Sequence, residues 1–260
     1  MNPTSQAAGG GVFPLTRRSM VVAVGSGDGE VRRSAFGALV EAYWKPVYKL
    51  LRLRWHLTPD GAEDATQEFF ARALEKDWFS RYDPARSRFR TYLRTCLDGY
   101  AANRAKAARR EKRGGGRLPL SLDFTTAEGE VAQLEPATEA EAEELFYREW
   151  VRGLFQIAVG RFRQRMEATG RGLRFALFAA YDLEGADDAA RPTYGELAAT
   201  HGVPVTKVTN ELAAARRELR RTVLDLLREV TGSEREFRDE ARALLGVDPE
   251  PGVGAEAGEG

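Results

Sequence analysis

Between Arg81 and Arg117 twelve basic residues stand against three acidic ones, Asp83, Asp98 and Glu111, a local surplus of nine positive charges. Tyr82 stands among them in a loop as the stacking candidate, while Phe89, Tyr92 and Tyr100 fall on the core stripe of the helix that follows. Cationic side chains at this density neutralise a polyanion and release its counterions, and aromatic rings among them stack on unpaired bases. The chemistry on offer is phosphate binding and strand separation rather than bond making. The chain has one cysteine, Cys96, and two scattered histidines, His56 and His201. These cannot build a disulfide or a structural zinc site, and there is no nucleophile-base pairing and no phosphate-cradling glycine loop in strand-to-helix context. No metal, no cofactor and no enzymatic activity are expected.

The basic block must be held by helices. The 260 residues carry 39 basic and 39 acidic side chains, so the overall neutrality hides local asymmetry. From Leu118 to Glu149 nine acidic residues oppose Arg148 alone, which calls for a basic or intramolecular partner. Abundant Ala, Leu, Glu and Arg beside few β-branched residues predict an all-α fold. The longest apolar run near the N-terminus, Met20 to Val24, is too short to span a bilayer or to serve as a signal-peptide core, so no membrane association and a reducing, cytoplasmic location are expected.

Periodicity divides the chain into two small helical domains joined by an acidic linker. Residues 1–30, rich in Gly, Ser and Ala, read as a disordered arm. Within 31–117, Phe36, Leu39, Val40, Tyr43, Trp44, Val47 and Leu51 make one amphipathic helix with a kink or break at Pro46. Pro59 and Asp60 open a second helix, 77–88 is a loop, and a third helix from about Arg88 to Lys112 is packed in its first half and a basic rod in its second, stopped by Gly114 to Gly116. Residues 118–144 read as an acidic linker. In 145–232, Thr193-Tyr-Gly-Glu196 has the form of a capping box, and Ala198, Gly202 and Val208 fall where a helix-turn-helix needs a small residue, a turn residue of positive φ and an apolar anchor. A capped extension helix follows in 233–247, with Phe237, Ala241 and Leu244 on one face, and 248–260 read as a disordered tail.

This organisation resembles the sigma-70 family of RNA polymerase sigma factors, in the compact two-domain form of the extracytoplasmic-function group. The resemblance rests on Asp64-Ala-Thr-Gln-Glu-Phe-Phe-Ala-Arg-Ala-Leu74, on Phe89-Arg-Thr-Tyr-Leu93 leading into the basic stretch, and on Thr193 to Arg220. It implies a sigma factor that binds core polymerase and directs promoter recognition and opening. Asp64, Gln67, Glu68 and Phe70 would dock on the clamp helices of the β′ subunit, with the β flap as a further contact. Tyr82, Arg88, Arg90, Tyr92, Asn103, Arg104, Lys106, Arg109 and Arg110 would bind the minus-10 element. Thr206, Lys207, Asn210, Arg216, Arg217 and Arg220 would bind the minus-35 element, and an anti-sigma protein is a further partner that the family allows.

The chain departs from the family pattern at Asp98-Gly99, where Arg-Asn is common, and at Ala213-Ala214, where basic residues are usual. Two other readings therefore stay open: a helix-turn-helix regulator, and a polymerase-binding adaptor without promoter opening. For the extension the expectation is packing on the helix-turn-helix domain. Its alternative is a latch, in which Glu234, Glu236, Asp239 and Glu240 help it cover the recognition helix or the docking surface.

Overall fold

The computed structural model describes residues 19–25, 28–108, 122–134, 138, 141–184 and 191–247, and among these it contains ten α-helices and no strand. Helix α1 spans Met20–Ala23, α2 Gly29–Leu53, α3 Pro59–Glu75 and α4 Phe89–Ala108. They are followed by α5 Phe124–Val131, α6 Ala142–Ala168, α7 Gly172–Phe178, α8 Tyr194–His201, α9 Val205–Val230 and α10 Glu234–Leu245. The local start signals act through their side chains. Asp28 caps α2, Thr58 caps α3 with Pro59 in its first turn, Thr193 and Glu196 close a capping box on α8, and Ser233 caps α10. Gly202 and Gly246 end α8 and α10 at φ 62° and 64°, a left-handed conformation that costs glycine nothing.

Two expectations need correction and a third is narrowed. Of the kink or break expected at Pro46, the break does not occur, since α2 runs through it to Leu53. Proline removes one helical hydrogen bond, but Tyr43, Trp44, Val47 and Tyr48 around it are buried, and their packing holds the helix on both sides. The proposed N-terminal arm is ordered in part: α1 buries Val21 and Ala23, and the Ser19 hydroxyl donates to the Thr231 carbonyl at the far end of the chain. The segment read as a linker contains α5, whose Ala127 and Val131 enter the core. The glycine stop at 114–116 and the tail at 248–260 lie outside the described residues.

The buried apolar side chains form two clusters that share two long helices. The larger apolar core takes side chains from α1 to α6, but also Val223, Leu226, Leu227 and Val230 of α9 and Phe237 and Ala241 of α10. A smaller cluster joins Phe162 and Met166 of α6 to α7, α8 and Val208, Leu212 and Ala215 of α9. Helices α6 and α9, of 27 and 26 residues, are each about 40 Å long, and they run in opposite directions through both clusters. Their apolar stripes are longer than one small domain can cover, so the core crosses the boundary that composition suggests. At the crossing Tyr43 stacks on Phe146 and Trp150, with ring centroids 6.5 and 6.1 Å apart.

The acidic block finds its partners inside the chain. Lys49 on α2 is fully buried and donates to Glu149 of α6 and, at 2.5 Å, to Glu130 of α5. Lys45 donates to the other oxygen of Glu130 at 3.0 Å. Glu128 receives both Nε and Nη2 of Arg52, at 2.8 and 2.6 Å, and the Tyr48 hydroxyl at 2.7 Å. The Arg52 hydrogen bond holds the Glu128 carboxyl below its ordinary value of 4.5.

Because Lys49 and Glu149 are both almost completely shielded from water, Glu149→Ala should lower stability by about 3 kcal/mol in urea unfolding. Truncating the partly exposed Glu143, which pairs with Arg94, should cost less than about 1 kcal/mol. A second expectation concerns acid. A carboxyl with a depressed folded pKa adds stability that is present above its unfolded value and lost as pH falls through the folded one. Melting temperatures measured from about pH 6 to pH 3 should therefore fall less steeply in Glu128→Gln than in the parent chain.

Candidate nucleic-acid interface

The loop between α3 and α4 is built rather than free. Asp77 sits at φ 53°, held by Nη2 of Arg32 at 2.9 Å, and receives the Ser80 hydroxyl at 2.7 Å. A short 3-10 turn, Phe79–Arg81, delivers Tyr82. The Tyr82 ring meets Phe89 edge-on at 5.2 Å and Tyr92 at 5.5 Å, and its hydroxyl lies 2.8 Å from the Ser87 carbonyl and 3.2 Å from Oε2 of Glu236. Phe89 is core, packed on Tyr43 and Phe79. Tyr92 donates to the Trp78 carbonyl at 2.8 Å, and burial pushes its hydroxyl up to about 12. Tyr92 thus closes the loop, and only part of its ring faces outward.

The arginines at the start of α4 are engaged. Arg88 Nη1 and Arg90 Nε both donate to Oε1 of Glu240, at 2.9 and 3.0 Å, and the Arg90 guanidinium lies 4.3 Å over the Tyr147 ring. Arg94 pairs with Asp98 at 2.9 Å, so the departure at Asp98 has a structural use within α4. Further along, Asn103 and Lys106 are exposed, while Arg104 donates to Glu68 at 2.6 Å. Arg109 and Arg110 lie outside the described residues.

On α3, Asp64 is exposed and Gln67 is half-buried, donating to Glu63 at 3.3 Å. Glu68 accepts from Arg72, Arg104 and the Tyr100 hydroxyl, each at 2.6 Å, and ties α3 to α4. Phe70 must be corrected as a docking residue. It is fully buried against Phe36 and Phe69, because its position falls on the apolar stripe of the helix.

At the other end of the molecule Thr206, Lys207, Asn210, Arg216, Arg217 and Arg220 are all exposed on α9. Arg216 is the one committed to an intramolecular fork, donating from Nε and Nη2 to Asp182 at 3.1 and 2.9 Å above Tyr181. The minus-10 and minus-35 candidates therefore occupy different regions of the chain's surface, the first beside the larger core and the second beside the smaller cluster.

Residue types alone did not place Glu236 and Glu240 against Arg88 and Arg90. Their four-residue spacing on the face that carries Phe237 and Ala241 was the available signal. The sequence-based alternative of a latch placed these carboxylates on the recognition helix or the docking surface. They lie instead on the start of α4.

The different roles of Gln67 and Glu68 are separable. Glu68→Ala should lower stability by about 1–3 kcal/mol by leaving three donors without their acceptor, and Gln67→Ala should change it by no more than about 0.5 kcal/mol. Urea unfolding of the two variants checks this.

Among the described residues no helix is long and apolar enough to cross a membrane, and no group of three or more His, Cys, Asp or Glu side chains is arranged to hold a metal ion. Neither curated proteins nor solved structures gave a match to the chain. Residues 39–111 match a family model described as Sigma-70 region 2, a span that runs from α2 through the basic helix α4. That match supports a role in binding RNA polymerase and melting promoters. The segment that joins the buried stripe of α2 to the arginines of α4 is thus similar to Sigma-70 region 2, and the likeness covers this part of the chain alone.

Proposed function

We propose that this chain is a sigma factor of the extracytoplasmic-function type, which binds core RNA polymerase and directs promoter recognition and opening in the cytoplasm. The reading is carried by one coincidence: the region 2 match covers the same residues that put exposed Asp64 and half-exposed Gln67 on α3 and the basic Arg104 and Lys106, with polar Asn103 beside them, on α4. In this reading the outer face of α3 docks on the clamp helices of β′. Helix α4 and its preceding loop take the minus-10 element, where Arg88, Arg90, Arg104 and Lys106 neutralise phosphates and Tyr82 stacks on an unpaired base.

Helices α8 and α9 take the minus-35 element as a helix-turn-helix. Support for that part comes from Gly202 at φ 62° between two capped or packed helices and from the exposed Lys207 and Asn210, whose side chains suit guanine and adenine edges. Arg217 and Arg220 suit phosphates. An anti-sigma protein would have the same two surfaces to cover.

Co-purification with core polymerase, followed by permanganate footprinting on promoters selected by the reconstituted holoenzyme, tests the reading. The chain should bind core polymerase and render thymines near minus-10 reactive. Asp64→Ala combined with Gln67→Ala should weaken core association about tenfold without loss of helicity, and Arg104→Ala with Lys106→Ala should lower thymine reactivity while core binding persists. Core binding with no opening on any selected promoter would mark an adaptor. No core binding at all would mark a helix-turn-helix regulator.

A further inference from the structure

Helix α10 makes its charged contacts at the start of α4. Glu236 reaches across from the C-terminal end of the chain, and its Oε1 accepts the Phe89 backbone N–H at 2.8 Å, in the first turn of α4. Its Oε2 accepts the Gly232 N–H at 2.8 Å and lies within reach of the Tyr82 hydroxyl. One turn later Glu240, with no exposed side-chain surface, gathers both Arg88 and Arg90 on a single oxygen, and Asp239 stands 3.7 Å from Arg88. Two carboxylates therefore hold the first amide of a helix and two guanidinium groups, the set of donors that a phosphate backbone uses.

The contact is also closed sterically. A Cβ built on Gly232 would fall 2.2 Å from Cε1 of Tyr82, so the residue joining α9 to α10 lies directly against the ring that would stack on a base. Apolar packing keeps α10 in place, since Phe237 is buried beneath the Arg228 guanidinium at 4.3 Å and Ala241 is fully buried. Oε2 of Glu240 is buried without a hydrogen-bond partner, a cost that departure of the helix would relieve.

From this arrangement we infer that α10 is an autoinhibitory helix, in which Glu236 and Glu240 take the place of DNA phosphates on Arg88, Arg90 and the start of α4 while Gly232 blocks Tyr82, so that the minus-10 surface becomes available only when α10 leaves. The inference rests on reading that surface as one that takes DNA. The occupant is this chain's own segment Ser233–Gly246, and what replaces it is a nucleic-acid backbone. A phosphate would have to compete with Glu240 for Arg88 and Arg90, since Glu240 already holds one donor of each and Tyr147 covers the Arg90 face.

The test uses the full chain and a fluorescent duplex with a single-stranded fork, followed by anisotropy across a salt series. Glu236→Gln with Glu240→Gln should bind at least about tenfold tighter than the parent, with a log-log salt slope steeper by about two, one for each arginine released. Glu30→Gln with Glu167→Gln makes the same charge change at two exposed positions away from α4 and should leave both quantities unchanged. Should the double variant lose helicity, Glu240→Gln alone keeps the Glu236 hydrogen bonds and, since Glu240 holds both arginines, should still tighten binding about threefold, with a slope change near two.

Equal gains in the charge control would overturn the inference. So would an unchanged affinity in the double variant, and if Arg88→Ala with Arg90→Ala then weakened binding by the parent chain, the surface would still be a DNA surface and only the autoinhibition would fall. Absence of fork binding in every variant would remove the DNA reading of this surface and the autoinhibition with it.

Discussion

The buried ammonium of Lys49 sets the constraint around which the larger core is arranged. An ammonium shielded from water is tolerated only where carboxylates meet it, and here they come from two other helices, Glu149 of α6 and Glu130 of α5. That requirement fixes where α5 lies on α2 and sets the rotation of α6 against the same face. With α6 so placed, Trp150 and Phe146 are brought onto Tyr43, and Tyr147 onto Arg90. A polar contact that contributes little net stability thus selects one docking of the apolar faces among several that hydrophobicity alone would allow.

From that docking follows the unity of the fold. Helix α6 is long enough to leave the larger core and supply Phe162 and Met166 to the smaller one, and α9 returns in the opposite direction to supply Val223, Leu227 and Val230 to the larger. The end of α9 therefore lies beside Tyr43, whose hydroxyl is 3.4 Å from the Val230 carbonyl. Once the chain emerges there, the few residues after Val230 place α10 over the start of α4 without any long connection.

Charge is distributed so that the arginines at the start of α4 and along it are paired within the chain. Arg88, Arg90, Arg94 and Arg104 are held by carboxylates from α10, α4 itself and α3, while Asn103 and Lys106 face solvent. On α9 the balance is reversed, since Lys207, Arg217 and Arg220 remain exposed and Arg216 is paired. The surface nearest the larger core is thus largely neutralised within the chain, and the one on the smaller cluster is largely not, although residue counts describe both as basic.

Sequence by itself determined the local elements. The capping residues Thr193 and Ser233 start helices where their side chains meet free amides, Gly202 and Gly246 end them, and the apolar stripe of α9 from Val208 to Leu227 is read directly from helical spacing. These are interactions between residues within a few positions of one another. The basic character of α4 and its region 2 likeness were legible for the same reason, as they reside in adjacent residues. Only the tertiary structure decided what each charge is used for. That Glu68 braces α3 against α4, that Phe70 faces inward, and that Glu236 crosses to the amide of Phe89, 147 positions away, depend on how whole helices dock. Periodicity fixes the face of a helix but not its neighbour, and a carboxylate finds an arginine across the fold only after burial of the apolar faces has brought the two within hydrogen-bonding distance.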